Sequence, residues 1–169
     1  MPQLIASFQV DHTHLRPGIY VSRRDRVPGG FITTFDIRMK RPNAEPAVHP
    51  NAMHTIEHVV ATYLRNSAFR DHVVYWGPMG CLTGFYFITF TADEVRPEDI
   101  APLIRAAYRY QAGFRGEVPG AAPANCGNWR LHDLAMARWE AKVFLASDWK
   151  YAYPKTRRAR VGGKAVYDA

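Results

Sequence analysis

Cysteine is scarce in this 169-residue sequence: Cys81 and Cys126 are the only two. That excludes a disulfide-framed secreted domain, although one disulfide is arithmetically possible. The opening Met1-Pro2-Gln3-Leu4 has no basic segment followed by an apolar one, so the expectation is a cytoplasmic protein whose thiols serve chemistry or metal binding. No apolar run approaches the ~20 residues of a membrane-spanning helix, and no internal repeat points to a solenoid. Acidic residues are few, 15 against 22 lysines and arginines, for a formal net charge of +7. Such a balance invites a nucleic-acid partner. Its distribution argues against one, because Lys150, Lys155, Arg157, Arg158, Arg160 and Lys164 crowd the last twenty positions while the other arginines are scattered. A solvated basic tail is the expectation there.

What the chain does have is enough length and apolar content for one domain with a full core. We place a single catalytic domain at residues 1–150 and the basic tail at 151–169. Strands are expected at 4–10, around Ile19-Tyr20-Val21 with a turn at Arg23-Arg24-Asp25, over Phe31–Met39, over Asp71–Trp76 and over Gly84–Ala92, the last apolar on both faces and therefore central. Within Phe31–Met39, Asp36 and Arg38 share the face opposite Phe35 and Ile37, which reads as a solvated or paired side of a sheet. Helices are expected from Pro50 to about Asn66, from Pro97 to about Gly113, and from an Asn128 cap onward with Leu131, Ala135, Trp139 and Val143 inward. Adjacent strands early and late make this an α+β fold, an antiparallel sheet with helices packed on one face.

The first of those helices carries His54-Thr55-Ile56-Glu57-His58. At about 100° per residue, His54 and His58 lie about 40° apart and Glu57 about 60° from His54. Two imidazoles one turn apart can share a metal ion, and a carboxylate beside them can move protons there. Ile56, Val60, Tyr63 and Leu64 continue a core-facing stripe, so the pair sits on a helix anchored by its own packing.

A catalytic ion of this kind takes three protein ligands and keeps one position open. Cys126 is the candidate third, in the loop Asn125-Cys126-Gly127-Asn128 just ahead of the expected last helix, where a helix N-terminus would favour thiolate. Such a donor set suits Fe2+, Zn2+ or Co2+. Cys81 lies in the turn Gly77-Pro78-Met79-Gly80-Cys81 that feeds the central strand. A thiol at a sheet rim, facing a metal, can take a proton from the carbon next to a polarised carbonyl.

The chain resembles the LuxS family of S-ribosylhomocysteine lyases, which make the precursor of the autoinducer-2 quorum-sensing signal. The resemblance is carried by Ser7-Phe8 with Asp11-His12, Phe35-Asp36-Ile37-Arg38, Pro42-Asn43, His54-Thr55-Ile56-Glu57-His58, Pro78-Met79-Gly80-Cys81 with Thr83-Gly84, and Cys126-Gly127 followed by Leu131-His132-Asp133-Leu134. It implies a LuxS/metallohydrolase-like fold in an obligate homodimer, with sites at the subunit interface. It implies one Fe2+ per subunit, or Zn2+ or Co2+, on His54, His58 and Cys126. Glu57 and Cys81 match the acid–base pair, and Ser7, His12 and Arg38 match positions that meet the ribose of the substrate. The implied reaction moves a sugar carbonyl along the ribose and then eliminates homocysteine, a step of the methionine cycle, leaving 4,5-dihydroxy-2,3-pentanedione.

The sequence departs from the family pattern at three places: Tyr75 stands where an acidic residue is usual, Gly77 where Ser is usual, and Leu82 where a polar residue follows the catalytic Cys. One alternative is a divergent paralogue acting on another sugar thioether. Another is a non-enzymatic binding or regulatory protein on the same scaffold, against which the presence of both Cys81 and Glu57 argues. The H-x-x-E-H word also marks a class of peptidases, but those take a downstream Glu as third ligand, where this chain offers Cys126.

Overall fold

The computed structural model describes residues 6–154, with side chains from Phe8 onward; residues 1–5 and 155–169 lie outside it. Strands β1 (Gly18–Val27), β2 (Gly30–Arg38), β3 (Val73–Pro78) and β4 (Gly84–Thr91) form one sheet in the order β1-β2-β4-β3, each neighbouring pair antiparallel. Ile19, Phe35, Ile37, Phe85, Phe87 and Trp76 point to one face, as the period-two alternation and the register require. On them pack α2 (Pro50–Arg65), α3 (Pro97–Gly113) and α4 (Leu134–Ala146) through Met53, Ile56, Val60, Ile104, Tyr108, Ala137 and Phe144, all buried. The α+β class and the antiparallel sheet are as the sequence implied, with four strands among the described residues.

Several boundaries differ, each for a physical reason. Residues 4–10 do not form a strand in their described part: Ala6–Gln9 is a single helical turn, α1. A strand needs a ladder partner, and the outer edge of β1 at Gly18 is occupied instead by Lys150, in a parallel bridge. β1 does not turn at Arg23-Arg24-Asp25 but runs on to Val27, with a bulge between Val21 and Arg23 and the hairpin turn at Pro28-Gly29. Arg23 and Asp25 pair along the exposed strand at 2.7 Å, so that polar run needs no turn. Asp36 and Arg38 are buried rather than solvated, and they pair with each other at 2.6 Å.

The last helix starts later than its apolar spacing suggested. Asp133, not Asn128, is its cap, accepting from the Met136 N–H at 2.9 Å. Its inner face is therefore Ala137, Glu140, Ala141 and Phe144, while Trp139 is 54% exposed. Two alanines let α4 approach α3 closely, which a Trp at that contact would prevent. Glu140 is buried against Lys40 at 2.6 Å, with Glu45 at 4.0 Å as the lysine's more distant acid. Glu140→Ala leaves the buried ammonium with that distant carboxylate and the Trp139 ring, 5.3 Å away; we expect about 3 kcal/mol of lost stability, read as a lower midpoint in urea unfolding.

Candidate metal centre and thiol turn

α2 begins where Pro50 supplies a preset first turn and His49 caps it, its ring accepting from the Asn51 N–H. One helical turn in, His54 and His58 meet edge to face with ring centroids 4.5 Å apart. The His54 Nδ1–H donates to the Leu131 carbonyl at 2.7 Å, and the His58 Nδ1–H donates to the Pro119 carbonyl at 2.7 Å. A carbonyl can only accept, so both rings carry a proton on Nδ1, and in the neutral ring the lone pair is at Nε2. Second partners of this kind orient metal-binding histidines. Gly120, at φ +72°, lets the 119–120 backbone lie this close; a Cβ there would sit 3.4 Å from the His58 ring.

The Cys126 Sγ lies 3.4 Å from the His54 Nε2. Its loop is closed by the Asn125 and Cys126 N–H groups, both donating to the Ala122 carbonyl. No helix starts beside Cys126, because α4 begins only at Leu134. The helix-terminus stabilisation expected for this thiolate therefore does not operate, and the two imidazoles are its observed neighbours.

A fourth donor joins them. The ligand atoms of His54, His58, Cys126 and His132 all lie within 4.8 Å of one another. His132 Nδ1 is 3.3 Å from the Thr55 Oγ1, which already donates to the Asn51 carbonyl and so accepts here. Its Nε2 is buried without a protein partner. Burial, then the two neighbouring imidazoles, hold this ring down to about 4, which keeps it neutral. The His132 ring stacks on His54 at 4.3 Å and 12°. Lone pairs of stacked rings lie in nearly parallel planes, so one ion cannot sit in the plane of both. The three-ligand set His54, His58 and Cys126 fits an ion with an open position, and the neutral Nε2 of His132 faces the same space. The sequence pattern by itself gives His132 no role; the one signal for it is a histidine six residues after Cys126. Glu57 is half-buried on α2 and is not among the converging donors.

Cys81 stands elsewhere, in the turn closed by the Leu82 N–H donating to the Met79 carbonyl. The turn holds Leu82 at φ +57°, a left-handed conformation costly for a branched residue. The exposed Cys81 thiol lies 3.0 Å from the Thr83 Oγ1 and 3.7 Å from the Arg38 Nη1. Partial burial pushes that thiol up, but hydrogen bonds from the Thr83 side chain and backbone, and then the Arg38 charge, outweigh it and hold it below an ordinary thiol. Arg38 also donates to Thr83 at 2.5 Å and to Asp36 at 2.6 Å. With His12, Ser22, Tyr86 and Tyr153, the Asp36–Arg38 pair lines a small cavity on the sheet face opposite the helices. His12 and Arg38 thus share one pocket; the Ser7 backbone belongs to α1, and its side chain lies outside the described residues.

Both groups are tied to the start of α2. The Val48 N–H donates to the Leu82 carbonyl, and the Asp133 N–H donates to the Asn51 carbonyl. The Cys81 thiol has Thr83 and Arg38 as its hydrogen-bond neighbours, and it is not among the converging donors. Two of the departures meet in space: a Cβ on Gly77 would lie 1.9 Å from the Tyr75 hydroxyl, so the ring occupies the space beside that glycine.

A helix-borne imidazole pair and a loop thiol with converging donor atoms, on an antiparallel α+β scaffold, define the class: a small domain whose His/Cys cluster could hold a metal ion. Within that class the chain belongs to the LuxS family, whose model, described as S-ribosylhomocysteinase (LuxS), matches residues 5–153. It is 56% identical over 142 residues to the S-ribosylhomocysteine lyase of Phocaeicola vulgatus, covering 83% of this chain and 87% of that protein. Similar relatives of the same name come from Porphyromonas gingivalis, at 54% identity over 83% of this chain and 88% of the relative, and Clostridium acetobutylicum, at 50% over 84% and 89%.

Proposed function

We propose that this chain is a metal-dependent carbon–sulfur lyase that cleaves S-ribosylhomocysteine to homocysteine and 4,5-dihydroxy-2,3-pentanedione. The observation that carries the reading is the convergence of the His54, His58 and Cys126 donor atoms, in a LuxS-family chain that also keeps a thiol of lowered pKa at Cys81. His54, His58 and Cys126 hold the ion, Fe2+ first and Zn2+ or Co2+ as substitutes. Bound there, such an ion would supply Lewis acidity toward a sugar carbonyl and so acidify the adjacent C–H.

Cys81 is the principal base. Its thiolate takes the proton from the carbon beside the carbonyl and returns it one carbon back, moving the carbonyl from C1 to C2 and then to C3. Glu57 serves as the second acid–base group. Removal of the C4 proton then breaks the C5–S bond, and homocysteine leaves with the electron pair on sulfur. Arg38 and His12, with Ser7, bind the ribose hydroxyls; the Arg38 guanidinium, held by Asp36 at 2.6 Å, is fixed as a donor there. His132 accepts a hydrogen bond at the open side of the metal site.

The working unit in this reading is a homodimer with sites shared across the interface. On the second sheet face Phe90 is 38% and Tyr75 47% exposed among the described residues, and an apolar face of this kind supports it. The single domain extends through the described residues, and the basic stretch beyond is a tail. No helix among the described residues is long and apolar enough to cross a membrane, and we place the protein in the cytoplasm. A second reading keeps the chemistry on another sugar thioether, and the Tyr75 ring lying over Gly77 is the observation that favours it. Anaerobic Fe2+-loaded protein incubated with S-ribosylhomocysteine should release free thiol over time. Intact metal loading with no thiol released would transfer the case to the second reading.

A further inference from the structure

After α4 the chain turns back across the sheet. The Lys150 N–H donates to the Pro17 carbonyl at 3.0 Å, and the Ile19 N–H donates to the Lys150 carbonyl at 2.8 Å, a parallel bridge on the free edge of β1. Gly18 is required at this crossing, since a Cβ would sit 2.0 Å from the Lys150 oxygen. Trp149, buried against Phe144, fixes the approach. The segment then delivers Tyr153 to the sheet face opposite the helices. There its ring stacks on buried Tyr20 at 4.7 Å and 8°, and its hydroxyl donates to the Asp36 Oδ2 at 3.1 Å.

That oxygen is the one Arg38 holds at 2.6 Å, and Arg38 in turn reaches the Cys81 Sγ and the Thr83 hydroxyl. The chain of contacts is therefore Tyr153, Asp36, Arg38, Cys81. We propose that Tyr153 is a positioning residue for the reaction: by donating to the buried Asp36 carboxylate and covering the ion pair, it fixes the Arg38 guanidinium against Cys81. The proposal rests on the reading of Cys81 as the proton shuttle. It also moves a boundary, because the domain limit at 150 expected from the basic tail cuts through this packed segment, and the described chain is docked through Tyr153.

The physics is that of a shared buried charge. Asp36 is 2% exposed and its other oxygen, Oδ1, has no hydrogen-bond partner. A carboxylate so placed depends on each donor it has. The groups facing it are Arg38, Tyr153, His12, Tyr20 and Tyr86, and those facing Cys81 are Thr83, Arg38 and Tyr86. Burial, then Asp36, keep the Tyr153 hydroxyl protonated far beyond working pH, so it acts as a fixed donor and not as a titrating switch. Burial pushes the Asp36 carboxyl up, and Arg38 and then the Tyr153 hydroxyl oppose that shift. Without Tyr153 the pair loses a donor and its cover, the guanidinium is free to turn away from Cys81, and the thiolate loses part of its stabilisation.

The test is the rate of iodoacetamide alkylation of Cys81 in the metal-loaded full chain as a function of pH, read on the Cys81 peptide by mass. A lowered thiol gives a profile that reaches its plateau at lower pH than a free thiol, so weaker stabilisation moves the midpoint up. Tyr153→Phe should slow alkylation at pH 7 roughly three-fold, an upward shift of about half a pH unit, and leave the melting temperature within about 3 °C. A chain ended at Ala152 should be slowed about ten-fold, and one ended at Pro154 should match the full chain. The proposal is overturned if Tyr153→Phe keeps the full-chain profile, even where the Ala152 end unfolds the protein, since the segment then has a structural role only. The readout needs no substrate. Turnover surviving in Cys81→Ala would sink the shuttle reading and leave this profile untouched, so the two failures are separable.

Discussion

Cys81→Ala should abolish thiol release from S-ribosylhomocysteine, by at least about 10³-fold, while the protein keeps its metal. General acid–base groups contribute about 10² to 10⁴ in rate, and two proton relays and an elimination pass through this one thiol. The substitution is structurally mild. Cys81 is exposed, and its turn is closed by backbone bonds from Leu82 to Met79 and from Met79 to Gly84, which no side chain supplies. Metal content measured by atomic emission should equal that of the parent, because the four converging donors include no atom of the turn. Turnover within ten-fold of the parent would remove Cys81 from the mechanism.

Cys126→Ala should do the opposite and empty the site. In the proposed assignment the Sγ is one of three ligands and the only one that would bind as an anion; it lies 3.4 Å from the His54 Nε2. Loss of outer partners of metal ligands already costs about 10- to 100-fold in affinity, so loss of a thiolate ligand should exceed about 100-fold. The expected result is a chain that folds but holds far less than one ion after dialysis against a mild chelator, with activity lost in proportion. His132 does not rescue it, since its ring stacks on His54 and does not share its plane. Full metal occupancy in Cys126→Ala would show that His132 rotates in as a ligand, and the three-ligand assignment would fall.

Much of this was legible in the chain because it depends on short-range geometry. Helical phase alone puts His54 and His58 on one side of α2, Pro50 starts that helix, and the alternation from Phe31 to Met39 gives β2 its two faces. The Pro78–Gly84 word placed a thiol at the end of the central strand β4, where it is. Read from the sequence, Asp36 and Arg38 were only a solvated or paired side of a sheet. Whether a charged pair is wet or buried depends on what covers it, and the cover comes from Tyr153, 117 residues away in sequence. The late start of α4 was hidden for a like reason. The 126–133 stretch has helical spacing, but its Leu131 carbonyl and His132 ring are held by α2, and those contacts outweigh a few residues of propensity.

By itself, then, the sequence determined the donor types, the helix that aligns two of them, the α+β order and the family. Only the tertiary structure decided that His132 closes on the metal cluster, that the Tyr75 ring occupies the space beside Gly77, and that the chain's end returns to hold the Asp36–Arg38 pair. Local periodicity is written into neighbouring residues, whereas burial and charge pairing belong to surfaces that meet only after the chain has folded.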